Sequence, residues 1–263
     1  MPPIIQADAP SLCALRHTWR VFPENRPHSE GMTNLSRGHS RRQDSILRAA
    51  LLLGLLLAWL VCAAPDPQVL QRELVARFGP ARVSLLKDWL QLLTQTRAQA
   101  SDETKLRRIN DFVNRNIAFE ADISVWQQSD YWATPIETIG QGRGDCEDFA
   151  ILKYVSLRQV GVPASRLRLI YVKARLQTPV GPQVQAHMVL AYYATPNAEP
   201  LVLDNLNPAI LPAGKRNDLT PVFSFNSDGI YAGISGRDKA ASGVGRLSRW
   251  ADVLQRIAAE GLD

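Results

Sequence analysis

The run Gly142-Arg-Gly-Asp-Cys-Glu-Asp-Phe149 sets a cysteine among carboxylates, directly after a glycine-rich turn and at the start of an apolar helical pattern. Beyond residue 64, Cys146 is the only cysteine and His187 the only histidine, so a thiol–imidazole pair there has one possible membership. A thiol attacks an acyl carbon only as thiolate. The first turn of a helix favours that form through the positive end of its dipole and its unsatisfied N–H groups, which can also receive an oxyanion. An imidazole within reach completes the pair, and a carboxylate or amide behind it fixes the tautomer. His187 lies in the alternating run Gln185–Tyr193, and Asp204-Asn205 closes the next apolar run. Successive strand residues face opposite sides, so only one of those two can serve His187 unless the strand has already ended. Singly, each residue has an ordinary role: a buried thiol as apolar filler, a strand histidine as a structural group, an aspartate as a turn former. Together, and in the order Cys, His, Asp, they point to nucleophilic acyl chemistry.

The elements that must position these groups follow from periodicity. Gln68–Phe78 and Ala81–Ala98 carry apolar residues at helical spacing, and Ser101 is placed to cap a third helix bearing Ile109, Phe112, Val113 and Ile117. Thr134-Pro-Ile-Glu137 is a capping box with proline at the first helical position. Gly142 and Gly144 suit a turn with positive φ. From Cys146, the spacing of Phe149, Ile151, Leu152, Val155, Leu157 and Val160 predicts a helix closed by Gly161 and Pro163. Strands are predicted over 166–174, 185–193, 201–206, 221–225 and 230–231, and a last amphipathic helix over 248–259. Helices, a central helix bearing the cysteine, then an antiparallel sheet make an α+β fold. The aromatic stretch Ala118–Trp132 has no period and either covers a core edge, the expected role, or walls a substrate cleft.

The net charge of +5 suggests nucleic acid at first sight, but residues 1–64 hold seven Lys+Arg against four Asp+Glu, and the remainder is close to neutral. No basic stripe interleaves with aromatics, so a nucleic-acid partner is not expected. Ala49–Ala64 is continuously apolar, preceded by Arg41, Arg42 and Arg48 and followed by Pro65, the order of a secretory signal and short for a bilayer span. Residues 32–64 therefore read as a signal peptide or N-terminal anchor, with Met32 a natural start. Residues 1–31 read as an upstream extension that is non-native or disordered, and residues 65–263 as one exported domain. In an oxidising compartment a lone cysteine has no internal disulfide partner, which marks Cys146 as a reactive thiol.

The cysteine run, with Gln185-Ala-His-Met-Val-Leu190, Pro200-Leu-Val-Leu-Asp-Asn-Leu206, Tyr131-Trp-Ala-Thr-Pro135 and Asp218-Leu-Thr-Pro-Val222, resembles the bacterial transglutaminase-like cysteine proteinases. Within that family it is similar to the periplasmic proteases that release large biofilm adhesins. The resemblance implies a papain/transglutaminase-like fold, with Cys146 as nucleophile, His187 as general base and Asp204 as orienting acid. It also implies Ca²⁺, for which Asp145, Glu147 and Asp148 are the acids at hand. Calcium wants six to eight oxygens, so other loops must contribute. A simpler role is compatible with this one: Asp145 capping the helix and Glu147 favouring its positive end. The implied partners are the N-terminal region of a large surface adhesin, cut at a small-residue site, and an inner-membrane cyclic-di-GMP receptor that sequesters the protease. Trp126 is a candidate contact surface for that receptor. Two other readings keep the same residues: a transglutaminase-type acyltransferase, and a non-catalytic calcium-dependent binding domain.

Overall fold

The computed structural model describes residues 66–232 and 244–262. The upstream stretch 1–31 and the signal segment 32–64 inferred from the sequence lie outside the described residues. Among those described, no helix is long and apolar enough to cross a membrane.

Three helices come first: α1 (Pro67–Phe78), α2 (Val83–Arg97, entered through a 3-10 turn at Pro80–Arg82) and α3 (Asp102–Asn116). Asp66 caps α1 by accepting from the Gln68 amide at 2.8 Å. Ser101 occupies the cap position of α3, yet its side chain makes no capping bond. The acids Asp102 and Glu103 in that first turn supply the favourable charge instead. A two-residue strand β1 (Ala118–Phe119) and a one-turn helix α4 (Asp122–Val125) lead to α5 (Pro135–Gln141), which begins with the capping box at Thr134 and Glu137. Strand β2 (Arg143–Gly144) pairs in parallel with β1 and delivers the chain into α6 (Cys146–Gln159).

The sheet has six strands in the order β6-β5-β4-β3-β7-β8, with every pairing antiparallel. They are β3 (Leu167–Thr178), β4 (Gly181–Tyr192), β5 (Leu201–Leu203), β6 (Leu211–Pro212), β7 (Leu219–Asn226) and β8 (Gly229–Ala232). The β3–β4 hairpin reaches beyond the expected strands, pairing from Leu167↔Tyr192 out to Thr178↔Gly181. Strand β5 is shorter than expected and stops at Leu203. Asp204 therefore lies just past the strand, where alternation no longer dictates its direction.

Helix α6 is the centre of the main core. Phe149, Ile151, Leu152, Val155 and Leu157 are buried against Leu86, Trp89, Leu106 and Ile109 from the N-terminal helices and Leu169, Met188, Leu190 and Leu203 from the sheet. The helix is covered on nearly all sides, so Lys153, Ser156 and Gln159 are buried as well. Ser156 accepts from Trp89 Nε1 at 2.9 Å and donates to the Leu152 carbonyl at 2.6 Å, which satisfies both groups. The opposite sheet face carries a smaller cluster of Ile170, Val172, Val189, Ala191, Tyr193 and Val202. A cavity of about 670 Å³ opens over that cluster, with Arg216 in its wall.

Helix α7 (Val244–Ala259) is tied to the other elements by polar contacts. Trp250 Nε1 donates to the Asn226 carbonyl at 3.0 Å, and Arg256 donates to Glu137 at 2.5 Å and to the Trp132 carbonyl at 2.7 Å. Glu137, buried within the capping box, also pairs with Arg77 of α1. One carboxylate thus joins α1, α5 and α7 beneath the loop that leads to the cysteine.

Candidate active site

Cys146 is the first residue of α6, after the extended cap residue Asp145. The preceding turn depends on its two glycines for different reasons. Gly142 adopts φ +67° and closes α5 through its amide to Thr138 and Ile139. Gly144, expected to need positive φ, does not have it; a Cβ there would lie 2.5 Å from Asp148 Oδ2. Its requirement is space, so that Asp148 can fold back under the turn. Asp148 Oδ1 accepts from the Ala133 amide at 2.8 Å, and Oδ2 faces the Asp145 amide at 3.4 Å. The first-turn N–H groups of α6 are not consumed by the helix ladder.

The thiol is half-buried. Cys146 Sγ–H donates to Glu147 Oε2 at 2.9 Å. The backbone N–H of Met188 acts on the sulfur in the direction that favours thiolate. Strand β5 pairs only with Leu190–Tyr192, so β4 at His187 and Met188 is unpaired on that side. The thiol meets β4 beside the residue that carries the imidazole. Burial first, then the charge and hydrogen bond of Glu147 and the charge of Asp145, push the thiol's pKa up. That direction opposes nucleophilicity.

His187 is buried, and its Nε2 lies 2.8 Å from Asp204 Oδ1. A carboxylate acceptor at Nε2 makes that nitrogen the donor, which leaves Nδ1 as the basic position of the neutral ring. The structure pairs the imidazole with Asp204, not Asn205. Asp204 Oδ1 also accepts from the Leu206 amide at 3.0 Å, and Oδ2 from Arg216 Nη2 at 2.7 Å. Burial would raise the Asp204 pKa, but the bonds from His187, Arg216 and Leu206 outweigh it and hold the carboxyl at about 2. Helix α3 fixes the surrounding loop, with Asn114 Nδ2 donating to the Asp204 carbonyl at 2.8 Å and Asn110 Nδ2 to that of Pro208 at 2.9 Å.

The acids beside the thiol belong to a larger cluster. Carboxylate oxygens of Asp122, Asp145 and Asp148 lie within 4.8 Å of one another, as do those of Asp122, Asp130 and Glu147. Asp122 and Asp130 come from the irregular stretch after β1, which sequence periodicity could not connect to the cysteine turn. Asp122 Oδ1 and Asp145 Oδ1 are buried with no hydrogen-bond partner. Burial first, then Glu147 and Asp148, drive the Asp145 pKa up to about 10, while burial and neighbouring acids raise Asp122 to about 6. A set of hard, crowded, partly orphaned oxygens fits a divalent cation that prefers carboxylates, as Ca²⁺ does.

Between this cluster and the sheet lies a cavity of about 130 Å³ lined by Asp130, Trp132, Glu147, Tyr171, Phe223 and Arg249. Its aromatic walls are continuous: Trp132 stacks on Phe225 at 5.6 Å, Phe225 on Phe223 at 5.9 Å and Phe223 on Tyr171 at 5.4 Å. Trp132 therefore both covers the core edge, as expected, and walls a cleft next to the cysteine. Trp126 is packed between Phe78 and Tyr131, and the most exposed apolar side chains of its stretch are Phe119 and Ile123.

The family model of the bacterial transglutaminase-like cysteine proteinases matches residues 90–217, a span that holds Cys146, His187 and Asp204. Calcium-bound LapG of Legionella pneumophila is 34% identical, with a TM-score of 0.59 over 73% of this chain and 99% of that one. The chain belongs to the bacterial transglutaminase-like cysteine proteinase family. EGTA-treated LapG of the same organism is also 34% identical, with a TM-score of 0.60 over 74% of this chain and all of that one. No curated protein matches the sequence. The mixed helical and antiparallel-sheet architecture is that of these proteinases.

Proposed function

We propose that this chain is a calcium-dependent cysteine endopeptidase using Cys146, His187 and Asp204. In this reading it is exported to the periplasm, as a free domain or tethered by residues 32–64, and cleaves the N-terminal region of a large surface adhesin. An inner-membrane cyclic-di-GMP receptor sequesters it, and cleavage releases the adhesin and disperses biofilm. The observation that carries the chemistry is the buried His187–Asp204 pair, 2.8 Å apart, with His187 next to Met188 in β4 and Cys146 packed against the core to which Met188 belongs. Family membership supports the protease class, and the resemblance of the sequence motifs supports the adhesin and the receptor.

The residues divide the reaction as follows. His187 Nδ1 takes the thiol proton, and the resulting thiolate attacks the scissile carbonyl carbon. Asp204 stabilises the imidazolium from Nε2. First-turn amides of α6, that of Cys146 foremost, face the developing oxyanion. Imidazolium then protonates the leaving amine, and water, deprotonated by the same ring, releases the acyl group from sulfur. Asp122, Asp145 and Glu147, with Asp130 and Asp148, would hold the calcium, whose chemistry is charge neutralisation and ordering of the turn that bears Cys146. Glu147 would then have its charge shared with the cation, and its hold on the Cys146 proton would weaken. LapG is described in calcium-bound and EGTA-treated forms, which supports a removable calcium in this chain too.

The test is cleavage of an adhesin N-terminal fragment by the full chain and by Cys146→Ala, each with calcium or with chelator. Cutting by the wild type alone, and only with calcium, is the expected result. Equal cutting in chelator would reduce the acids to helix capping. No cutting by either protein, with wild-type chain that incorporates an added amine into a glutamine peptide, would favour the acyltransferase. No cutting and no acyl transfer would favour a binding domain.

A further inference from the structure

We propose that Arg216, held by Asp218, is a positioning residue that sets the orientation and charge of the Asp204 carboxylate toward His187. The proposal rests on the Cys146–His187–Asp204 reading and extends it by two residues to which the family resemblance gave no role. Asp218 grips the guanidinium twice, accepting from Nε at 3.0 Å and from Nη2 at 2.8 Å. The same Nη2 donates to Asp204 Oδ2 at 2.7 Å. With Oδ2 fixed, the carboxylate cannot rotate about Cβ–Cγ, and Oδ1 stays aimed at His187 Nε2. Arg216 suits this task because its planar fork serves two carboxylates from one rigid plane, which an ammonium cannot do.

The energetics point the same way. The side chains of Asp204 and Arg216 are 0% and 2% exposed, whereas that of Asp218 is 43% exposed. A carboxylate this deep needs compensation, and deleting its partner leaves an uncompensated buried charge. His187 alone can neutralise Asp204 only while it is protonated, yet the base must be neutral before attack. Arg216 supplies a positive charge that persists through both states of the imidazole. The groups facing Asp204 are His187 from β4, Arg216 and, behind it, Asp218 from the segment before β7, and the buried Lys153 from α6. Of Arg216 and Lys153, only Arg216 donates a hydrogen bond to it.

A residue that merely fastened the loop 204–218 would affect folding and substrate binding. A positioning residue acts on the imidazole and on turnover. The experiment compares the full chain with Arg216→Met, Arg216→Lys and Asp218→Asn. It follows the ring resonances of His187 by NMR against pH, and kcat and KM separately on the adhesin fragment. In Arg216→Met we expect the His187 Nε2 proton to lose its hydrogen-bonded low-field shift or broaden. The imidazole titration should move upward, because the carboxylate charge is no longer shared. We also expect kcat to fall roughly 10- to 100-fold, as for other residues that orient a ligand from behind, with KM within about 3-fold. Arg216→Lys should restore the titration but not the full kcat. Asp218→Asn should show the same signs to a smaller degree, and it keeps the idea testable if Arg216→Met fails to fold.

Unchanged His187 resonances and titration in folded Arg216→Met would overturn the proposal. So would a loss confined to KM or thermal stability. If no variant, wild type included, cuts the fragment, the protease reading fails while the His187 spectra still decide the role of Arg216.

Discussion

Two carboxylate centres, one around Asp204 and one around Cys146, differ in how their charge is met. Asp204 is fully buried, and its lone pairs are taken by His187, Leu206 and Arg216, so its pKa is held at about 2 despite burial. The cluster of Asp122, Asp130, Asp145, Glu147 and Asp148 is more acidic and less satisfied. Arg249, pairing with Asp130 at 2.7 Å, is the one described base in a direct ion pair with it. Two of its oxygens have no partner. Burial raises the pKa at both sites, but the net shift is downward at Asp204, where His187 and Arg216 bond the carboxylate, and upward at Asp122 and Asp145, which have no such ion pair among the described residues. The first is finished by the chain itself; the second leaves oxygens open, in keeping with the calcium proposed above.

The sharpest break in that comparison is Asp204→Asn. It removes the charge and gives His187 an amide, and kcat should fall about 10⁴-fold, as when a triad aspartate is neutralised. Calcium should leave that loss untouched. A purified full chain followed by cleavage kinetics, with and without added calcium, is sufficient.

Next in size is the metal's own effect. Calcium at about a hundredfold excess over its Kd should stabilise the fold by about 2.7 kcal/mol, worth roughly 5–10 °C in Tm for a chain of this size. Asp122→Asn and Asp145→Asn should lose most of that shift. Arg216→Met should keep it. A calcium shift equal in all variants would show that the two centres do not differ in the way described.

Lys153 gives a third comparison, since it is a cation near Asp204 without a hydrogen bond to it. Burial lowers its pKa to about 7, with Asp204 acting in the opposite direction. The folded chain therefore binds fewer protons than the unfolded chain between about pH 7 and the ordinary lysine value of 10.5. Stability should rise with pH through that window, by a few kcal/mol in all, and Lys153→Met should flatten the rise. Denaturant unfolding at several pH values measures it.

The smallest effect belongs to the thiol. Glu147→Gln removes a charge and an acceptor from beside Cys146, and alkylation of Cys146 at neutral pH in chelator should speed up several-fold. The rate is read by mass spectrometry of the Cys146 peptide. A slower rate would mean that Glu147 helps ionise the thiol instead of holding its proton.

How far this was legible in the sequence follows from the range of each signal. The cysteine turn, the Thr134 capping box and the central helix are local patterns, and each stands where periodicity put it. The partner of His187 was left between Asp204 and Asn205 by alternation alone, because the end of β5 is set by pairing with β4 and not by its own residues. Asp122 and Asp130 join the acid cluster through β1–β2 pairing over two residues, which no periodicity announces. Arg216 sat in a polar stretch, Gly214-Lys-Arg-Asn-Asp218, where one charge looks like the next. Its importance is a tertiary fact. Lys153 had the opposite problem: a lysine on a helix reads as solvent-facing, and here the helix has almost no solvent face.

The hydrogen bond from Cys146 Sγ to Glu147 has a consequence for the lifetime of the protein. A thiolate, far more than a thiol, attacks peroxides and disulfides, and a sulfur oxidised beyond the sulfenic state is not recovered by ordinary reductants. A thiol whose proton is held on sulfur by donation to a neighbouring carboxylate is oxidised slowly. In the proposed reading this contact protects the sulfur as well as holding its proton, and metal-free chain should keep more titratable sulfhydryl at position 146 through oxidising storage than chain stored with calcium.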